Sequence, residues 1–180
     1  AYGLSSVSLR YFNAAGASES RGEDHEPETH LIPNVLGVAL GKRGNITVFG
    51  TDYPTPDGSC VRDYVHVLDI ARAHLLSLKN LETPAVCRFF NLGNGSGHSV
   101  LEVIDISRKV TGKSIPSVSG QRRPGDPPVL VADASLARNE LGWEPLYPSL
   151  EDIIAGAYSW MKSHPSGYAN VHKKILVKKP

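Results

Sequence analysis

Strand patterns and amphipathic helix patterns alternate along this chain of 180 residues. Short runs rich in β-branched and aromatic residues predict strands, whereas apolar residues three and four positions apart predict helices. The predicted strands span residues 6–13, 46–49, 59–67, 86–92, 115–118 and 129–132, and the predicted helices span 31–42, 67–81, 99–111, 133–142 and 149–163. This alternation is typical of the α/β fold class.

Local signals place several helix ends. Ser99 and Glu102 form a capping-box pattern, and Gly112 is a natural stop for the helix that follows. The helix over residues 67–81 is predicted to be amphipathic, and one side carries the apolar residues Ala71, Leu75, Leu78 and Leu81.

The overall composition is that of a folded globular domain, with 41% hydrophobic and 21% charged residues. The formal net charge of +1 includes four lysines in a tail over residues 169–180, so no basic face suggests nucleic-acid binding. No apolar run approaches the roughly 20 residues of a membrane span. Cys60 and Cys87 suggest no disulfide framework, and we expect a cytoplasmic protein. Because Ala1 stands first, we also expect a piece of a longer chain.

The predicted strand over residues 59–67 combines an arginine, a carboxylate, an aromatic ring and a histidine. Alternation along a strand places Arg62, Tyr64 and His66 on one face, with Asp63 and Val65 on the other. A guanidinium beside an aromatic ring suits a phosphate attached to a ring. The alternative is a half-buried edge strand whose arginine is paired locally.

A second cationic segment lies in the proline-bracketed loop over residues 121–128. Arg122 and Arg123 could engage a diphosphate together, and Asp126 could accept hydrogen bonds from a ribose. A solvated charged loop is the alternative. Together with Arg62 and Asn13, these loop residues favour a diphosphate ester over a metal ion as the ligand. The histidines include no H-x-x-x-H pair, so no metal site is predicted.

Two further motifs resemble catalytic or cofactor signatures without their context. The glycines of residues 93–97 have G-x-G-x-G rather than G-x-G-x-x-G spacing, so a tight strand-to-helix turn is favoured over a pyrophosphate loop. Tyr158 and Lys162 lie four apart on the last predicted helix, far along the chain from any cofactor loop. We interpret them as an incidental pair.

Five motifs occur in a characteristic order. They are LRYFNAAGA (residues 9–17), FGTDYPTPDG (49–58), VRDYVHV (61–67), NLG (91–93) and HPSGY (164–168). Their sequences and spacing resemble the UDP-glucose 4-epimerase family of the extended short-chain dehydrogenases. The resemblance covers residues 1–168 and leaves 169–180 as a basic tail.

The resemblance is to the second half of such enzymes. It implies the last strands of a Rossmann-like parallel sheet plus an α/β substrate-binding domain. The glycine-rich NAD loop and the catalytic Ser and Tyr-x-x-x-Lys helix of the family are absent from this sequence, so no catalytic residue is assigned. We expect the chain to be inactive alone.

Residue by residue, the resemblance implies a UDP-hexose site. Arg62 and Arg123 would hold the diphosphate, and Asp126 would hold the ribose. The implied substrate-binding residues are Tyr11, Asn13, His30, Leu31, Val48, Phe49, Arg62, Tyr64, Val100, Arg123, Asp126 and Leu130, and the implied cofactor contact is Phe12. His30 and Leu130 stand where family members often have asparagine and tyrosine. Leu130 in place of a tyrosine raises the hypothesis that N-acetylated UDP-sugars also fit.

The implied activity is the NAD-dependent interconversion of UDP-glucose and UDP-galactose at C4, in a homodimeric full-length enzyme. Other hypotheses stay open at this point. They are a UDP-sugar-binding module without chemistry, and part of another extended short-chain dehydrogenase, such as a nucleotide-sugar decarboxylase or dehydratase. A truncation product that cannot fold is the fourth.

Overall fold

The computed structural model describes residues 3–82 and 85–168. The basic tail predicted over residues 169–180 lies outside the described residues. The strands are β1 (Ser6–Tyr11), β2 (Asn13–Ala15), β3 (Ile46–Phe49), β4 (Val61–Arg62), β5 (Tyr64–His66), β6 (Cys87–Leu92), β7 (His98–Ser99), β8 (Ser117–Gly120) and β9 (Val129–Leu130). The helices are α1 (Leu31–Ala39), α2 (Val67–Leu78), α3 (Val100–Thr111), α4 (Ser135–Leu141) and α5 (Leu150–Ser163).

The strands pair mainly in parallel. β1 pairs with β6, β2 with β5, and β3 with β8, all in parallel register. β4 lies between β7, which is antiparallel to it, and β9, which is parallel. Parallel neighbours need crossover connections, and the helices between the strands supply them. The predicted α/β class is therefore confirmed.

Three apolar clusters form the core. The first joins α1, α3 and α5 through Ile32, Val103 and Ile153. The second lies where α2 and α4 pack against β6, around the fully buried Phe90 and Trp143. A third cluster packs α1 and α3 against β3. The first and third clusters fix α1, β3 and α3 relative to one another.

Local capping signals are confirmed in the structure. Ser99 and Glu102 form a complete capping box at the start of α3, and Gly112 ends that helix with φ of 64°. Ser149 caps α5 by accepting a hydrogen bond from the Asp152 amide. Helix α1 ends at Ala39, earlier than the predicted residue 42, because the chain turns at Gly41 with φ of 73°.

The predicted apolar side of α2 exists, but it faces outward. Leu75 is 68% exposed and Leu78 is 57% exposed, whereas the packed face carries Ile70, Ala73 and Ser77. Helix α2 also ends at Leu78 and continues as a 3-10 turn, Lys79–Glu82. The prediction that residues 86–92 form a buried strand is likewise only partly right. The first half of β6 is exposed because it pairs with β1 alone among the described residues.

The predicted strand over residues 59–67 is two strands with a break at Asp63. β4 belongs to the sheet with β7 and β9, and β5 pairs with β2. The predicted strand over residues 6–13 is likewise divided into β1 and β2, and β8 begins at Ser117 rather than residue 115. Among residues 3–82 and 85–168, no helix has the length and apolar character to cross a membrane.

Candidate functional site

A cavity of about 1100 Å³ opens between the first turn of α1, the end of β3, strands β4 and β5, and the loop over residues 121–128. All but two of the predicted binding residues line it. They are Tyr11, Phe12, Asn13, His30, Leu31, Phe49, Arg62, Tyr64, Val100, Arg123 and Asp126. The fold therefore brings together residues that lie more than 100 positions apart in the sequence.

Arg62 is held firmly at the wall of this cavity. Its Nη1 donates to the carbonyl oxygens of Val61 and Pro127, both at 2.8 Å. Its Nη2 lies 3.5 Å from a carboxylate oxygen of Asp126. Fixing the guanidinium in this way lowers the entropy that an anionic ligand would otherwise have to remove on binding.

The two arginines of the loop have different environments. Arg123 lines the cavity and stacks on the ring of Phe49 at 4.1 Å. Arg122 does not line it; its Nε donates to Asp52 at 2.7 Å, and it stacks on Tyr53. The prediction that both arginines face one diphosphate is therefore wrong, because Asp52 and Tyr53 hold Arg122 outside the cavity.

Asn13 and Tyr64 are positioned by the pairing of β2 with β5. The Asn13 side-chain amide donates to the Asp63 carbonyl oxygen at 3.0 Å, which sets its direction at the cavity wall. The Tyr64 ring is only 5% exposed, and this burial raises the pKa of its hydroxyl well above the usual value. Tyr64 therefore offers a neutral hydroxyl over the whole physiological pH range.

The Asp63 carboxylate binds backbone amides of the glycine-rich loop over residues 93–97, here called the Gly93 loop. This carboxylate accepts from the backbone amides of Asn94, Gly95 and Ala132 at 3.0, 3.1 and 3.2 Å. Asp63 itself is fully buried. Amides of a glycine loop can bind a phosphate, but here an internal carboxylate already occupies them. The tight-turn interpretation of residues 93–97 is supported, and the amides of Asn94 and Gly95 are already occupied by Asp63.

Two predicted binding residues lie outside the cavity lining. The side chain of Val48 is 2% exposed and packs in the third core cluster. Leu130 is half-buried in β9 beside Arg62. Alternation along β3 turns Val48 into the core and Phe49 toward the cavity. Their binding roles stay predictions.

His66, which was predicted to share a face with Arg62 and Tyr64, does not line the cavity. Its buried ring contacts Tyr147, and its Nδ1 accepts from the Leu68 amide at 3.1 Å. Burial holds the pKa of His66 below its ordinary value. The ring also lies directly against Gly16. We interpret His66 as a structural residue.

The rim of the cavity carries a charged cluster that the sequence analysis missed. His25, Glu28 and His30 converge there, and Glu23 contacts the His30 ring. Burial, followed by repulsion from Glu28, raises the pKa of Glu23. Arg21 and Arg43 also line the cavity and were not predicted. A search for charged residues in the loop over residues 18–30 would have found several of them.

Tyr158 and Lys162 do not form a catalytic pair in the described part of the chain. Tyr158 packs against the first core cluster, and Lys162 is exposed. Neither lines the cavity.

Comparison with known proteins gives the family. The sequence model of the NAD dependent epimerase/dehydratase family matches residues 1–93. The chain belongs to this family. A UDP-glucose 4-epimerase of Halalkalibacterium halodurans is 54% identical over 175 residues, which are 96% of this chain and 52% of that protein. A UDP-glucose 4-epimerase of Lacticaseibacillus casei is 50% identical over 172 residues. This member of the NAD dependent epimerase/dehydratase family thus spans about half the length of the curated relatives it matches.

Solved structures agree with this assignment. A crystal structure of a UDP-glucose 4-epimerase superimposes with a TM-score of 0.86 at 51% identity and covers 90% of this chain and 50% of its own. The Bifidobacterium longum UDP-glucose 4-epimerase, solved in complex with NAD+ and UDP, gives a TM-score of 0.86 at 42% identity and covers 92% of this chain and 50% of its own. The resemblance to a Rossmann-like epimerase fold stated from the sequence is therefore confirmed.

Proposed function

We propose that this chain is the UDP-hexose-binding half of a UDP-glucose 4-epimerase, which interconverts UDP-glucose and UDP-galactose with NAD. The observation that carries the proposal is the convergence of Arg62, Arg123 and Asp126 on one large cavity. Two guanidinium groups beside one carboxylate suit a nucleoside diphosphate, whose phosphates need cations and whose ribose needs a hydrogen-bond acceptor. The assignment of a hexose as the sugar rests on the relatives, which are named UDP-glucose 4-epimerases.

Each side of the cavity has a part in this proposal. Arg62 and Arg123 bind the diphosphate with Asn13, and Asp126 binds the ribose. Leu31 and Phe49 hold the uracil, with Val48 contributing through its backbone. Tyr64 and Val100 flank the nucleotide, and Tyr11 and His30 lie beside the sugar. Leu130 pairs with Arg62 in the sheet and does not line the cavity, so its effect on sugar size would be indirect.

The nucleotide and sugar ends of the cavity have different tasks. Inversion at C4 requires the hexose to present both faces in turn, so the nucleotide must stay bound while the sugar moves. Firm contacts at the diphosphate and few contacts at the sugar meet this need, because strong ground-state sugar contacts would slow the movement. Arg62 is anchored by two carbonyl oxygens and fits the firm end.

The described residues fit only an edge of an NAD site. Phe12 is 43% exposed at the cavity mouth and can contact a nicotinamide ring. The Gly93 loop does not fit the pyrophosphate, because Asp63 occupies its amides. When bound, NAD supplies the hydride exchange at C4. This chain places the sugar at that edge.

The remaining half of the protein would cover the exposed leucines of α2. Leu75 and Leu78 form an apolar face that a folded protein usually buries. A homodimer and a cytoplasmic location, both expected from the sequence, stay predictions.

A calorimetric titration with UDP tests the binding half of the proposal, with Arg123→Ala as the variant. We expect saturable binding by the unmodified chain and roughly a tenfold or larger loss in the variant, because a charge-assisted phosphate contact disappears. Arg122→Ala is the matched control. It removes a neighbouring arginine outside the cavity and should leave the affinity for UDP unchanged. Equal losses in both variants would contradict the assignment.

Activity requires the missing half and can be tested in a chimera. Residues 1–168 of this chain would replace the corresponding part of the Halalkalibacterium halodurans enzyme. We expect the chimera to interconvert UDP-glucose and UDP-galactose, and Arg123→Ala to raise KM for both sugars. A folded chimera that binds UDP without turnover would favour a binding module instead.

A further inference from the structure

The charged cluster on the cavity rim lies in the loop between β2 and α1. The Nδ1 atom of His30 lies 3.2 Å from a Glu28 carboxylate oxygen, and the Nδ1 atom of His25 lies 4.0 Å from the same oxygen. One ligand atom from each of these three residues lies within 4.8 Å of the others. Glu23 contacts the same Nδ1 atom of His30. Two imidazoles and the Glu28 carboxylate thus surround one point, with Glu23 beside His30.

We propose that His25, Glu28 and His30 form a binding site for a divalent transition-metal ion such as Zn²⁺. Histidine nitrogens and carboxylate oxygens are common zinc ligands, and three of them with one water molecule complete a tetrahedral shell. Ligand atoms around tetrahedral zinc lie roughly 3.4 Å apart, given bonds of about 2.1 Å. The His30–Glu28 separation of 3.2 Å is close to this value, whereas the His25 ring must rotate closer, from 4.0 Å, to close the shell. Imidazole ligands favour zinc over calcium or magnesium.

The loop that carries the cluster is held in place by Trp160 of α5 and by Tyr168, which follows that helix. The amide of Gly22 donates to the Tyr168 hydroxyl at 3.0 Å, and the amide of Tyr168 donates to Asp24 at 2.7 Å. Gly22 packs so closely on Trp160 that a Cβ atom there would lie 2.1 Å from the indole. A metal would therefore meet ligands on a fixed backbone, which lowers the cost of organising the site.

The exposure of the histidines matters for metal access. The side chains of His25 and His30 are 50% and 59% exposed, so an ion can reach them from solvent. The alternative is a set of exposed ion pairs that form when the histidines are protonated. That alternative predicts no preference for zinc over magnesium, whereas the proposed site does.

The test uses the untagged chain with Cys87→Ser, because Cys87 is exposed and its thiol would also bind zinc. Calorimetry with Zn²⁺ should give one site per chain. Substitution by Co²⁺ should give the visible absorption of four-coordinate cobalt with nitrogen and oxygen ligands. In His25→Ala and His30→Ala we expect the zinc affinity to fall at least about tenfold, by analogy with losses at metal-site residues.

His74→Ala is the matched control. His74 is exposed on α2, and its Nδ1 pairs with the Ile70 carbonyl oxygen, outside the cluster. Its removal should leave zinc binding unchanged, and circular dichroism should show that all three variants fold. Zinc affinity that is equal in the chain and in both cluster variants would overturn the proposal. The absence of a four-coordinate cobalt spectrum would overturn it as well.

Discussion

Asp63→Ala should destabilise the chain more than any other single substitution of a charged residue described above. Three backbone amides, from Asn94, Gly95 and Ala132, donate to this buried carboxylate. A hydrogen bond to a charged group contributes about 1.5–3 kcal/mol, and the Ala132 donor is buried as well. We therefore expect the free energy of unfolding to fall by at least about 3 kcal/mol, or folding to fail, as measured by urea denaturation followed by circular dichroism.

Two companion variants separate the causes. Asp63→Asn keeps one acceptor oxygen but brings an amide group toward backbone donors, so its loss should be intermediate. Asp52→Ala removes an exposed aspartate that pairs with Arg122 and should change the urea midpoint little. If Asp63→Ala unfolded at the same urea concentration as Asp52→Ala, the buried carboxylate would not be a main support of the fold.

Gly16→Ala is the second substitution with a large expected effect. Gly16 has φ of 87°, and a Cβ atom there would lie 2.6 Å from Cδ2 of His66. The imidazole cannot retreat easily, because its Nδ1 accepts from Leu68 and its ring packs on Tyr147. Backbone strain of about 1–3 kcal/mol adds to overpacking of about 1–3 kcal/mol. The melting temperature should fall markedly in a thermal scan.

Gly112→Ala serves as the control for Gly16→Ala. Gly112 also has a positive φ, of 64°, but nothing lies within 4 Å of the position of its Cβ atom. This variant reports backbone strain without a collision, so it should lose clearly less stability. The double variant Gly16→Ala/His66→Ala should lose less stability than the sum of the losses in the two single variants, because the collision is gone. Identical melting temperatures for Gly16→Ala and Gly112→Ala would disprove the collision.

Local sequence signals predicted the helices well, because the contacts that begin and end a helix lie within one helical turn. Ser99, Glu102 and Gly112 set the ends of α3 through contacts between residues three or four positions apart. The resemblance predicted most of the cavity lining, because shared motifs imply shared positions. Neither the local signals nor the resemblance could show which side of α2 is buried. The side of a helix that is buried depends on which elements pack against it, and its leucines face outward in the described structure.

Long-range contacts explain the remaining errors. Arg122 and Arg123 are adjacent, and their roles differ because Asp52, 70 residues earlier in the chain, and Tyr53 hold Arg122. The rim cluster was missed for a similar reason. His25 and His30 lie on a loop, where no helical spacing rule applies, and the fold of that loop alone brings their rings to 5.2 Å.

The parallel pairing of β1 with β6 also bears on how the chain is made. Ser6 pairs with Cys87, 81 positions later, so β1 leaves the ribosome long before this partner exists. Contacts between distant segments slow folding, because a long loop must close before any stabilising contact forms. During synthesis, the first strand therefore waits with an open edge that other nascent chains can join. Chaperones and the rate of translation should consequently influence the yield of this protein, although its helices can form locally.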